Sequence, residues 1–90
     1  MIRRLLVHGL VQGVWYRGWT VDQAKALGLD GWVRNRRDGT VEILASGPAT
    51  AVEELIRRCH QGPSSAQVER VEVSASDETI QPGFTQRPTA

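Results

Sequence analysis

Apolar and polar positions recur along this chain with two different periods, and the switches between them divide it into elements. Arg3–His8 carries Leu5, Leu6 and Val7 in a short apolar run and predicts a strand. A loop follows over Gly9–Arg17. Gly18–Leu27 predicts a modest helix, with Val21, Ala24 and Leu27 three residues apart and Gly28 as its stop. Trp32–Arg36 and Thr40–Ala45 predict two strands joined by a tight turn at Arg37-Asp38-Gly39, because Asp-Gly supplies the positive φ that hairpins need. In the second of these strands Val41, Ile43 and Ala45 take one face, and Glu42 and Leu44 take the other.

The cleanest helical pattern comes next. Val52, Leu55, Ile56 and Cys59 stand at i, i+3, i+4 and i+7, a single apolar stripe. Glu53, Glu54, Arg57 and Arg58 occupy the wet face, each Glu four residues before an Arg. Ser46-Gly47-Pro48 opens this helix, with proline near its first turn, and Gly62-Pro63 ends it. Val68–Ala75 predicts a fourth strand, with Val71, Val73 and Ala75 alternating against Glu72 and Ser74. Beyond it only Phe84 offers an apolar anchor before a polar tail. The order is βαββαβ, with no repeat, linker or low-complexity tract. Right-handed crossovers then place two helices on one face of an antiparallel four-stranded sheet, an α+β sandwich of the ferredoxin-like kind. That fold leaves function open; RNA-binding RRM modules share its topology.

Ninety residues predict one domain spanning 1–90. A chain of this length buries roughly 60–65% of its unfolded surface, enough for a core without a metal or disulfide staple. Lys+Arg number 11 and Asp+Glu 10, for a net charge of +1, so there is no general electrostatic case for nucleic acid or an anionic membrane. Lys25 is the only lysine, and a genome bias accounts for that skew as well as a need for arginine does. Cys59 is the only cysteine, so no intramolecular disulfide can form, which fits a reducing compartment. Arg3 and Arg4 before Leu5–Val7 faintly resemble a signal peptide, but His8, Gly9 and Gln12 break the run. No segment is long and apolar enough to span a membrane. The expectation is a soluble, cytoplasmic monomer.

The stretch GLVQGVWYRGW, residues 9–19, joins the first strand to the first helix. Unpaired backbone N–H groups converge at a helix start, and the helix dipole adds partial positive charge there. Gly9 and Gly13 let the backbone approach a ligand without a Cβ in the way. Arg17 adds a forked cation able to grip two oxygens. The build suits a phosphate-sized oxyanion. The plainer alternative makes Arg17 a solvated helix-start residue, although a cation there opposes the dipole and needs an anion to justify it.

A second constellation narrows the choice. Gly31-Trp-Val-Arg-Asn-Arg-Arg-Asp-Gly-Thr-Val41, followed by Gly47, surrounds the hairpin. Together with Gly9-x-Val11-Gln12-Gly13-Val14-x-Tyr16-Arg17 it resembles the two signatures of the acylphosphatase family, in order and in spacing. One fixed position departs: Tyr16 stands where that family usually has Phe, which adds a hydroxyl in need of water or a partner. The resemblance covers nearly the whole chain. It implies hydrolysis of a small acyl phosphate to a carboxylate and inorganic phosphate, with no metal and no cofactor. It further implies that Gln12, Gly13, Val14, Trp15, Tyr16 and Arg17 bind the phosphoryl group, and that Asn35 positions the attacking water. Arg17 and Asn35 are then the catalytic pair, while the Gln12 amide orders the loop.

Other functions remain open beside this one. The same cradle could hold phosphate without turning anything over. An RNA-binding module would need the aromatic RNP strand, which is missing. A related domain opens larger hydrogenase-maturation proteins that handle carbamoyl phosphate. Trp15, Trp19 and Trp32 suit core or rim packing more than stacking on a substrate. Arg34, Arg36 and Arg37 either steer an anion or form a solvated hairpin. His8, His60 and Cys59 lack the spacing of metal ligands.

Overall fold

The computed structural model describes residues 1–90. Its elements are β1 (Ile2–Leu10), α1 (Tyr16–Ala26), β2 (Asp30–Asn35), β3 (Val41–Ser46), α2 (Ala49–Cys59), β4 (Gln67–Ala75) and β5 (Phe84–Gln86). The sheet runs in the order β4-β1-β3-β2-β5. Four of its strands pair antiparallel in the expected ferredoxin-like arrangement: β1 with both β3 and β4, and β2 with β3. The fifth strand is an addition to that expectation. β5 pairs parallel with β2, Phe84 opposite Gly31 and Gln86 opposite Val33. A three-residue strand is too short to display an alternation, so its sequence shows only the Phe84 anchor.

Alternation along β1, β2 and β3 sends Leu5, Val7, Val33, Val41, Ile43 and Ala45 into the layer between sheet and helices, and all are buried. The stripe of α2 supplies Val52, Leu55 and Cys59 to the same core, with Ile56 packed at its margin. Burying a side chain such as Leu55 is worth roughly 1.5–3 kcal/mol. Phe84 closes the core at the β5 edge.

The opposite face of the sheet holds a charge cluster. Glu42 on β3 is fully buried. Its carboxylate accepts from Arg4 Nη1 at 3.1 Å, Arg34 Nε at 2.7 Å and Arg36 Nη1 at 3.3 Å. A buried carboxylate needs such partners, because one left alone pays the full desolvation cost. Arg34 and Arg36 are thus committed to Glu42, whereas the Arg37 side chain is exposed. The hairpin turn is held by Asp38, which accepts from Thr40 N at 3.0 Å and Thr40 Oγ1 at 2.6 Å. Those two bonds hold the Asp38 carboxyl below its usual range.

Candidate active site

The loop between β1 and α1 turns by way of two left-handed residues, Gly13 at φ 74° and Trp15 at φ 66°. Trp15 is the N-cap residue, so α1 begins at Tyr16, two residues before the position its periodicity suggests. No side chain caps this helix, and its first turn holds no acidic residue. The first α1 amide to find a partner is that of Trp19, which donates to the Trp15 carbonyl at 3.0 Å. The amides of residues 12 to 18 donate to no acceptor within the protein. A helix start with that many free donors and no acidic neighbour is a receptor for negative charge.

Gly13, Trp15, Tyr16, Arg17 and Gly18 line one cleft of about 110 Å³ with Val11, Asn35 and Gln86. The volume is on the scale of a few water molecules, each with a share of about 30 Å³. The half-buried Arg17 makes no ion pair or side-chain hydrogen bond. Its cation therefore sits beside the positive end of α1 without a counter-charge. Asn35, the last residue of β2, has a buried Oδ1 with no hydrogen-bond partner. Buried polar atoms are seldom left so.

Loop and hairpin are tied together by Gln12. Its Nε2 donates to the Arg36 carbonyl at 2.7 Å and the Thr40 carbonyl at 2.9 Å, on either side of the turn. Gln12 itself is absent from the cleft wall, as is Val14. The side chain of Gln12 thus sets where the loop lies relative to Asn35. The backbone of Asn35 is fixed from the other side: the Ala90 amide donates to the Asn35 carbonyl at 3.0 Å, and the Arg37 amide to an Ala90 oxygen at 2.9 Å.

Tyr16 is buried, and its hydroxyl donates to the Cys59 carbonyl at 2.7 Å, the partner that the departure from Phe demands. Burial, more than any neighbour, drives its phenol pKa well above the ordinary value. Burial also pushes the Cys59 thiol up to about 12, which keeps it an inert core group. Of the three tryptophans, Trp32 is 3% exposed and Trp19 packs tilted against Tyr16 with centroids 5.4 Å apart. Trp15 lies at the rim: it is 63% exposed at the cleft, and its indole lies where a Cβ on Gly18 would sit.

Val11, Gly18 and Gln86 line the cleft but escape a reading of the sequence as site residues. Val11 and Gly18 lie inside the quoted loop and helix start, so the signal was present. Gln86 depends on β5, for which there was none. No three His, Cys, Asp or Glu side chains converge into a metal-binding group. No helix is long and apolar enough to cross a membrane.

Comparison with known proteins agrees with the loop and hairpin. Residues 3–86 match the acylphosphatase family profile. An acylphosphatase of Rhizorhabdus wittichii is 55% identical over 87 residues, covering 97% of this chain and 88% of the relative. One of Rhodospirillum rubrum is 57% identical over 83 residues, covering 92% and 91%. The crystal structure of acylphosphatase from Bacillus subtilis superposes with a TM-score of 0.89 at 35% identity, covering 97% of this chain and 99% of that one. With a helix start that offers free amides and an unpaired arginine to one small cleft, and with likeness of this extent, the chain belongs to the acylphosphatase family of enzymes, which hydrolyse acyl phosphates.

Proposed function

We propose that this chain, acting as a single domain, cleaves acyl phosphates in the Arg17 cleft without a metal ion. The loop amides from Gln12 to Arg17 and the Arg17 guanidinium hold the phosphoryl oxygens. Asn35 accepts a hydrogen bond from the attacking water through Oδ1. The water oxygen bonds to phosphorus while the bond from phosphorus to the acyl oxygen breaks. The bonding pair leaves with the carboxylate, and a water proton passes to a phosphoryl oxygen. Phosphoryl transfer asks mainly for positioning and charge stabilisation. The leaving group is the conjugate base of an acid with pKa near ~4, so it departs without a strong general acid. A cradle, a cation and an oriented water complete the catalytic set.

The observation that carries this reading is the meeting of three unpaired groups in one cleft: the loop amides, Arg17 and the buried Oδ1 of Asn35. The lone Cys59 supports the cytoplasm as the working compartment, and the monomer is the proposed working form. The test is hydrolysis of benzoyl phosphate in EDTA. Wild type is expected to turn over fast. Asn35→Ala is expected to lose about 10²–10³ in kcat while inorganic phosphate still binds. Unchanged turnover in Asn35→Ala removes Asn35 from the mechanism. Phosphate binding by wild type with no turnover leaves a binding module on this frame.

A further inference from the structure

β5 has two faces, and only one belongs to the cleft at Arg17. Gln86 lines that cleft, while Thr85 and Arg87, on either side of it in sequence, line a second one. The second cleft measures about 90 Å³, close to the first. Its walls include Trp32 from β2 and Gln81 from the segment leading into β5. Thr85 sits opposite Trp32 in the sheet, which places this cleft on the face away from the helices.

Arg87 is the unusual member. On the same sheet face Arg4, Arg34 and Arg36 all hold Glu42. Arg87 holds nothing: its side chain makes neither an ion pair nor a hydrogen bond. Its guanidinium lies 4.6 Å from the centroid of the Trp32 ring. Cation–π attraction to the ring holds the guanidinium there without using its N–H groups in a hydrogen bond. Arg34 lies at the same 4.6 Å from that ring, but its Nε is already bonded to Glu42 at 2.7 Å. The Trp32 Nε1 is buried and has no acceptor. Thr85 and Gln81 add a hydroxyl and an amide to the wall. No carboxylate lines the cleft; the nearby Asp30 is engaged through Oδ1 by the Gly83 amide at 2.8 Å. The lining itself carries one free positive charge and no carboxylate.

We propose that this second cleft is an anion site for a small oxyanion, a carboxylate or a phosphate, held by Arg87 with Thr85 and Gln81 beside the Trp32 ring. It lies across β5 from the hydrolytic cleft and does not depend on the reading of that cleft.

Heteronuclear NMR of the full chain tests it through the three indole N–H signals, assigned with Trp15→Phe and Trp19→Phe. Sodium phosphate and sodium acetate are titrated separately at constant ionic strength, with sodium chloride as reference. The expected result is a saturable shift of the Trp32 signal. The shift persists in Arg17→Ala, which weakens the first cleft, and its midpoint moves at least tenfold higher in Arg87→Gln. Thr85→Val gives a second, milder reading should Arg87→Gln fail to fold, with a several-fold weaker midpoint. Saturation by phosphate alone, by acetate alone or by both supports the site and names its ligand. A Trp32 signal that moves no further than in chloride overturns the proposal. So does a folded Arg87→Gln that titrates like wild type.

Discussion

The two helices have the same length, eleven residues each, and the same formal defects: no side-chain cap and no acidic residue in the first turn. They begin quite differently. α2 follows Pro48, whose φ of −57° and ψ of 142° lead straight into the first turn, and the amides of Ala51 and Val52 both donate to the Pro48 carbonyl at 3.0 Å. It buries Val52, Leu55 and Cys59 and places Arg57 and Arg58 in its last turn, where cations suit the dipole. α1 follows a left-handed tryptophan, puts a cation in its first turn and carries Gly18 one step further on. The hydroxyl of Thr20 bonds back to the Tyr16 carbonyl at 2.8 Å, a contact that loosens helices. At its start and along its buried face α2 is the better helix. The departures in α1 concentrate in the turn that faces the Arg17 cleft, where local agreement gives way to binding.

Substitutions can pull this contrast apart. The largest effect belongs to Arg17→Ala: kcat/KM for benzoyl phosphate should fall by about 10²–10³ or more. The same change should leave stability intact or raise it by about 0.3–1 kcal/mol, since it removes a cation from a helix N-terminus. Chemical denaturation alongside the assay checks both halves. Leu55→Ala inverts the pattern. It should cost about 2–5 kcal/mol through the cavity left under α2, with kcat unchanged at temperatures where the variant is folded. Tyr16→Phe is smaller. It removes the bond to the Cys59 carbonyl, worth about 0.5–1.5 kcal/mol, and should shift the thermal midpoint downward while kcat stays within a factor of about two.

The smallest effect is on the wet face of α2. Hydrogen bonds from Arg57 and Arg58 bring the half-buried Glu54 carboxyl from an ordinary 4.5 down to about 2. A depressed carboxyl stabilises the fold above its unfolded pKa, and that contribution is lost as pH falls through the folded value. Acid titration of wild type should therefore show a slight loss between pH 4.5 and about 2 that Glu54→Gln lacks. An identical acid limb in both proteins would show that the pair contributes nothing to folding. Hydrolysis at neutral pH should not distinguish them.

What the sequence makes legible follows the same divide. The stripe Val52, Leu55, Ile56 and Cys59 announces α2 because a buried helix face leaves a period in the chain. The loop announces itself through Gly13 and Arg17, since left-handed turns and forked cations demand particular residues. The start of α1 was harder to place, because Tyr16 and Arg17 belong to the loop's chemistry and to the helix at once. Glu42 was visible as a residue on the second face of its strand. Its complete burial was not, for that depends on Arg4 from β1 and on Arg34 and Arg36 near the hairpin, partners that only the sheet brings together. The same holds for Gln86, whose place at the cleft rests on a parallel pairing with β2.

That pairing sets an order of events during synthesis. β2 emerges from the ribosome long before residues 84–86, and β4, made just before them, lies at the far edge of the sheet. The chain must cross the whole sheet before Gln86 can reach Val33 and before Ala90 can fasten Asn35. Contacts between such distant segments form late, because closing the intervening loop costs entropy that nothing local repays. A nascent chain stalled before Phe84 holds the loop, Arg17 and Asn35 but lacks one wall of the cleft, so the wall at Gln86 and the fastening of Asn35 are both completed only once residues 84–90 have been made.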